Sequence, residues 1–309
     1  MAAERPNMKI VGAVDVDHAK IGRSLRDVAG AESDVLVTPS LDEALLGEEA
    51  HVLLHSTTSS ARAAWEQMAP AVTRGISVVS TCEELSYPWR TQAGLAGEID
   101  EAARKSGARV LGTGVNPGYS MDALPLVLTS PCQSVRRVEL ERVVDAGARR
   151  GPLQRKVGAG LTVAAFDQLV QEGRVRHVGL AESAWMLLDG LGWEVDEVEE
   201  IVEPVLAEAE IATGMLTVEP GRVAGVRQTL RALCRGEELL RLRLAMYVGA
   251  ESPRDRVRVW GVPDVDVTVS GGIHGDRATA AMALNCVSGI LERPAGLLTM
   301  LDLVGLRAR

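Results

Sequence analysis

The chain has 309 residues, of which 46% are apolar and 24% charged, with a formal net charge of -9. This length and apolar share support one or two folded domains and exclude a disordered chain, while the acidic balance argues against a nucleic-acid partner, which calls for a basic face. No apolar run reaches the ~18 residues of a membrane helix and no basic segment leads into an apolar one, so neither a membrane contact nor a secretory signal is expected and the chain is assigned to the cytoplasm.

The first half alternates short β-branched runs with helical patterns. Lys9 to Asp15 (KIVGAVD) reads as a buried strand and Asp34 to Thr38 as a second. Ser40, Leu41, Asp42 and Glu43 carry N-cap chemistry and open a short helix. His51 to His55 is a third strand, Ser60 to Gly75 a helix stopped by glycine, and Ile76 to Thr81 a fourth strand. Thr91 to Gly107 is an Ala/Glu-rich helix and Ala108 to Gly112 a fifth strand. Strand and helix alternating at this spacing predict parallel βαβ units in a Rossmann-like, doubly wound α/β sheet.

After Asn116-Pro117-Gly118 the pattern changes. Val135 to Asp145 (VRRVELERVVD) alternates apolar with charged residues, as a half-exposed antiparallel strand does. Helices are predicted over Leu161 to Gly173 and Leu180 to Leu191. Strands follow over Glu194 to Glu208, Val223 to Cys234, Glu238 to Val248, Val257 to Trp260 and Val265 to Ser270, with turn signals at Glu219-Pro220-Gly221 and Arg235-Gly236. Asp276 to Leu291 is a closing helix. The predicted domains are 1–118, a dinucleotide-binding domain lacking its first strand; 119–275, an α+β substrate and dimerisation domain with an antiparallel sheet; and 276–309, a C-terminal helix packing back on the first domain.

Cys82, Cys132, Cys234 and Cys286 form no C-x-x-C, and the five histidines no H-E-x-x-H, so thiols in a reducing compartment and no metal site are expected. A single Phe166 leaves few surfaces on which bases could stack. A dinucleotide fold normally opens with a strand, then G-x-G-x-x-G, then a helix whose N-terminus holds the pyrophosphate. Here the first strand ends in Asp15, where that fold places the acidic residue for the adenosine ribose, and by unit arithmetic roughly 25 residues of strand and glycine turn are expected ahead of it. Gly112-Thr113-Gly114 opens no helix in frame, and Gly158-Ala159-Gly160 follows no strand. Asp15 reads either as a turn residue or as the ribose contact; Lys20 or Arg23 could meet a 2′-phosphate, leaving NAD and NADP both open. Weak dinucleotide binding is expected of this chain, as is a less stable sheet. A gene start placed too far downstream would account for both, and upstream codons would reveal it.

Four stretches are more specific. Ser80-Thr81-Cys82-Glu83-Glu84-Leu85-Ser86-Tyr87-Pro88 follows the fourth strand, and Gly112-Thr113-Gly114-Val115-Asn116-Pro117-Gly118-Tyr119 the fifth. Gly271-Gly272-Ile273-His274-Gly275-Asp276-Arg277-Ala278-Thr279-Ala280 opens the last helix, and Pro294 with Gly296 to Met300 closes the chain. Together, and over nearly all the chain from Lys9, they resemble the 2,4-diaminopentanoate dehydrogenase and native amine dehydrogenase family, similar in fold to dihydrodipicolinate reductase. The resemblance implies NAD(P)-dependent oxidative deamination of an amine, or reductive amination of a ketone with ammonia. It implies an acidic catalytic residue within Cys82-Glu83-Glu84 and a nicotinamide-side loop at Asn116-Pro117-Gly118.

The residues themselves are compatible with that chemistry. Glu83 and Glu84 lie just past a parallel strand's carboxyl end, where open α/β sheets place their ligands; their other reading is a helix start. An amine oxidation needs a carboxylate to hold an ammonium and carry a proton. In Asn116-Pro117-Gly118, proline fixes the turn, glycine allows close approach and the Asn amide can bond a carboxamide, unless this is an ordinary turn. Asp15, Ser56, Thr57 and the Asn116-Pro117-Gly118 loop are the cofactor candidates, and Tyr119 and His274 the substrate candidates, His274 reading equally as a structural histidine. Arg149, Arg150, Arg155 and Lys156 read as a solvated loop rather than an anion site. A homodimer is expected, because an alternating sheet leaves a face to cover. The alternative to an enzyme is a truncated homologue that dimerises without holding a dinucleotide.

Overall fold

The computed structural model describes residues 1–147, 151–305 and 307, except the side chains of 151–153. The chain divides into two compact units: Met1–Thr113 with Thr279–Thr299, and Gly114–Ala278 with Met300–Arg309. The expected boundary after Gly118 falls instead after Thr113. The closing segment belongs to unit 1 only from Thr279 to Thr299.

Unit 1 opens with β1 (Ala13–Val14) and β2 (Val37–Thr38), paired in parallel in a sheet of their own. β3 (Val52–His55), β4 (Ser77–Ser80) and β5 (Arg109–Gly112) form a second parallel sheet, joined beyond β5 by Gly296–Leu298, a strand the sequence pattern did not reveal. The expected strands over Lys9 to Asp15 and Asp34 to Thr38 are thus cut to two residues each: among the described residues the first pairs only with the second, and the second adds only an isolated antiparallel bridge from Leu36 to Ser24. The helix Ala61–Val72 starts at Ser60, whose Oγ accepts the Ala63 N–H, and turns Ala61, Ala64, Trp65, Met68 and Val72 inward at helical spacing. With Ile99 of the helix Ala93–Ser106 they cover Val78 and Val110.

Unit 2 is built on one six-stranded sheet. Its members are β6 (Ser134–Asp145), β7 (Glu197–Leu206), β10 (Val223–Cys234), β11 (Glu237–Tyr247), β12 (Arg254–Val262) and β13 (Val265–Ser270); β8 (Ile211–Ala212) and β9 (Thr217–Val218) pair separately. The order is β13-β12-β6-β11-β10-β7. The expected antiparallel sheet is mixed: β6 runs antiparallel to β12 but parallel to β11. Alternation along β6 reports one covered face and says nothing of a neighbour's direction. β10 and β11 are joined through Arg235 and Gly236, both at positive φ (52° and 78°), as a two-residue hairpin turn requires. The helix Leu180–Leu191 packs on β10 and β11, while the other face carries Arg137, Glu139, Glu141, Arg254 and Arg256 in ion pairs. Among the described residues no helix is long and apolar enough to cross a membrane.

Candidate functional site

In unit 1 the candidates lie at the carboxyl ends of the parallel strands. His55 ends β3 and is buried; its Nδ1 lies 2.9 Å from Ser80 Oγ at the end of β4, and its Nε2 lies 3.0 Å from Gln67 Oε1. Gln67 Oε1 can only accept, so Nε2 carries the hydrogen and the Ser80 hydroxyl donates to Nδ1. Burial pushes the His55 pKa down, with the Gln67 bond opposing it. Ser80 Oγ in turn accepts the Cys82 N–H at 3.1 Å, which fixes the turn leading into Glu83 and Glu84. Thr57 is drawn into the same network through His55 Nε2 at 2.8 Å and Gln67, whereas Ser56 is exposed.

The two glutamates open a single 3-10 turn, Glu83–Leu85, and differ in what they touch. Glu84 Oε2 accepts the Ala61 N–H at 2.9 Å and a Gln92 Nε2–H at 2.9 Å, so its charge sits on the N-terminus of the helix Ala61–Val72. The Glu83 carboxylate is half-buried and has no hydrogen bond or ion pair among the described residues; only its backbone oxygen is engaged, by Ser86. Gly112 of β5 is what lets this turn sit close: a Cβ there would lie 2.4 Å from the Leu85 carbonyl carbon and oxygen. The Cys82 thiol beside the pair is pushed up to about 12 by burial and stays protonated. Asp15 is engaged by Lys20 at 2.6 Å and by the Asp17 N–H at 2.9 Å, and the Lys20 bond is the chief cause holding its carboxyl below the usual range.

In unit 2 the Asn116-Pro117-Gly118-Tyr119 loop is pinned by Asp122, a buried residue that caps the helix Ala123–Thr129. Asp122 accepts the Gly118 N–H at 2.7 Å, the Ala123 N–H at 2.6 Å and the Ser183 hydroxyl at 2.8 Å. Burial pushes its carboxyl up, against the pull of those three bonds. Asn116 Nδ2 and backbone oxygen both face His177 Nε2, at 3.2 Å and 3.1 Å, and Asn116 Oδ1 is buried without a partner. Tyr119 is half-buried beside Ser120.

A buried ion pair ties this loop to the one bearing His274. Arg142 of β6 and Asp255 of β12 are cross-strand neighbours, with Nη1 2.5 Å from Oδ1. Arg142 also reaches Ser120 Oγ at 3.4 Å and the Ile273 carbonyl at 2.7 Å, while Asp255 accepts the Ile273 N–H at 2.7 Å. His274 itself is exposed. Arg155 and Lys156 end a short helix and are exposed; Arg149 and Arg150 lie outside the described residues. His55, Asp122, Arg142, His177, Gln228 and Asp255 were not singled out from sequence. Arg142 and Asp255 did leave a signal, being charges at inward positions of strands whose other inward residues, Val138, Leu140, Val257 and Val259, are apolar. Among the described residues no three His, Cys, Asp or Glu side chains gather as a metal site requires.

A family model described as 2,4-diaminopentanoate dehydrogenase C-terminal domain matches residues 119–308. The chain is 32% identical over 304 residues to a 2,4-diaminopentanoate dehydrogenase of Acetoanaerobium sticklandii, covering 96% of this chain and 83% of that protein. Among solved structures, an amine dehydrogenase from Mycobacterium smegmatis superposes with a TM-score of 0.81 at 23% identity, over 98% of this chain and 90% of that one. A WlbA dehydrogenase from Bordetella pertussis, in complex with NADH and UDP-GlcNAcA, shares the fold at a TM-score of 0.52 and 15% identity, over 94% and 83%.

Proposed function

The chain belongs to the 2,4-diaminopentanoate dehydrogenase family, and from that premise we propose that it carries out the oxidative deamination of a CH–NH2 group, or in reverse the reductive amination of a ketone with ammonia. It is an amine dehydrogenase-like, NAD(P)-dependent oxidoreductase. A substrate resembling 2,4-diaminopentanoate is the first to try. The observation that carries the mechanism is the unengaged carboxylate of Glu83 beside a Glu84 committed to a helix end. We assign Glu83 the catalytic role and Glu84 the support of its turn.

Glu83 pairs with the substrate ammonium, takes a proton from the nitrogen as the C–H bond breaks, and returns it in the aminating direction. A bound nicotinamide cofactor supplies the hydride acceptor. The residues fit its nicotinamide end: Asn116 leaves one end of its amide buried and unpaired, which a carboxamide would satisfy. Gly118, at φ 117°, and Pro117 shape the backbone there. Asp15 would take a ribose hydroxyl of NAD, and Lys20 with Arg23 a 2′-phosphate of NADP; Ser56 and Thr57 would meet the cofactor past β3. No stretch of the 309 residues supplies a G-x-G-x-x-G turn for the pyrophosphate. Tyr119 and His274 are assigned to the substrate. We further propose a homodimer and a cytoplasmic location; the four cysteines are all free, which suits a reducing compartment.

The test is NADH or NADPH consumption by the purified chain with a 4-oxo acid or simple ketone and excess ammonia. Ammonia-dependent turnover is expected. A folded dimer by light scattering with no turnover and no cofactor binding would instead support the non-enzymatic homologue.

A further inference from the structure

Asn116 and His177 meet through contacts whose polarity depends on where one hydrogen sits. His177 Nε2 lies 3.1 Å from the Asn116 backbone oxygen and 3.2 Å from Asn116 Nδ2. The carbonyl can only accept, so that contact is attractive only with hydrogen on Nε2. An Nε2 that carries hydrogen cannot accept from Nδ2. A half-turn of the amide about its terminal torsion then brings Oδ1 to the ring N–H and leaves Nδ2 as the unpaired end. With hydrogen on Nδ1 instead, Nε2 accepts from Nδ2 and Oδ1 is the unpaired end. The ring tautomer therefore decides whether Asn116 offers a ligand a donor or an acceptor.

The ring is held for this purpose by its own backbone. The His177 N–H donates to Gln228 Oε1 at 2.7 Å, and its carbonyl accepts from Gln228 Nε2 at 3.0 Å; Gln228 is fully buried on β10. Ring Nδ1 has no partner among the described residues. Burial, with Lys156 and Arg142 as the cations bearing on the ring, lowers its pKa to about 4, so near neutral pH one ring nitrogen is a bare acceptor.

We propose that His177 is a positioning residue that sets the direction of the Asn116 amide, so that the loop offers an N–H donor from Asn116 and an acceptor from His177 Nδ1, the complement of a carboxamide. A carboxamide oxygen accepts from Asn116 and its NH2 donates to His177. A carboxylate in the same place turns an oxygen toward a lone pair. The proposal rests on reading this loop as the nicotinamide contact.

NAD+ and its nicotinic-acid analogue deamido-NAD+ differ only at that group. Their affinities for the full chain are measured by ligand-observed NMR up to about 10 mM, a range that captures weak binding. Wild type is expected to favour NAD+ by about tenfold or more, because a site built to bond one group rejects the analogue that leaves it unpaired. His177→Phe brings the ratio to within about twofold, and Asn116→Ala with the double variant no further, the mark of residues acting as a unit. His177→Gln, whose amide N–H can still reach the Asn116 carbonyl, keeps most of the preference. Thermal midpoints confirm that each variant folds. Preference lost in Asn116→Ala but kept in His177→Phe overturns the role of His177 while leaving the loop's reading intact. No preference in wild type, or no NAD+ binding at all, overturns that reading and this proposal with it.

Discussion

Glu83 and Glu84 are neighbours in sequence, yet one carboxylate is bonded to a helix end and the other to nothing described. Their Gln variants are expected to separate. Glu83→Gln abolishes ammonia-dependent NAD(P)H oxidation, since an amide cannot carry the proton, and leaves the thermal midpoint unchanged. Glu84→Gln keeps most of the rate and loses on the order of 1 kcal/mol, as removal of a charge from a helix N-terminus does. Initial rates and melting curves of the two proteins check both halves. His177 supplies a pH test independent of turnover. Its folded pKa of about 4 lies below the 6.5 of a free imidazole, so the unfolded chain takes up the proton first as pH falls. The stability contributed by the neutral ring is fully present above pH 6.5 and is lost on descending toward pH 4, about 1–2 kcal/mol by pH 5. Melting temperatures across that range are expected to fall more steeply for wild type than for His177→Gln.

Gly112 and the turn Glu83–Leu85 show how one element places another. Gly112→Ala drives a Cβ into the Leu85 carbonyl, so the turn moves or the strand does. The expected result is a loss of about 1–3 kcal/mol, typical of overpacking, together with a drop in rate and little change in NAD(P)H affinity. Calorimetry and titration of the same sample test this. The sequence offered only the glycine and suggested a phosphate loop to be rejected; the reason for it is a contact with residues some 27 positions earlier. The longer strands and helices were legible because burial of one face writes a period of 2 or 3.6 into the chain, while short elements such as Gly296–Leu298 and Ala123–Thr129 are too brief to show a period. Val223–Cys234, Val265–Ser270 and Leu180–Leu191 were placed to the residue. The parallel pairing of β6 with β11 was not legible, because alternation carries no direction. Of the site, the Glu pair and the Asn116 loop could be found locally. His177 could not, since its partners Asn116 and Gln228 lie 61 and 51 residues away. Arg142 could have been read from its inward position on β6. Arg142→Met leaves Asp255 buried and unpaired, and a loss of about 3–5 kcal/mol is expected, with Arg142→Met/Asp255→Leu restoring much of it. Denaturant midpoints of the single and double variants decide.

At the scale of the molecule, the parallel sheet of unit 1 comes in two pieces. Among the described residues β1 pairs only with β2, and β3 only with β4, so each presents an unpaired edge. Val14 on β1 and Leu54 on β3 are exposed beside those edges. In the doubly wound order a central strand lies between the strands that β1 and β3 represent, and the glycine turn after it carries the pyrophosphate. An apolar strand followed by G-x-G-x-x-G and a helix, fused ahead of Met1, would pair with both edges and bring helix N-terminal N–H donors to the cofactor phosphates. Charge-assisted bonds of about 1.5–3 kcal/mol each are then gained, so affinity for NADH or NADPH is expected to rise by at least one to two decades. The melting temperature is expected to rise as well, because two open edges close and Val14 and Leu54 leave water. Isothermal titration and melting curves of the 309-residue and extended chains make the comparison. Equal midpoints and equal cofactor affinities would mean that β1 and β3 do not flank a strand position, and that the two sheets are separate by design.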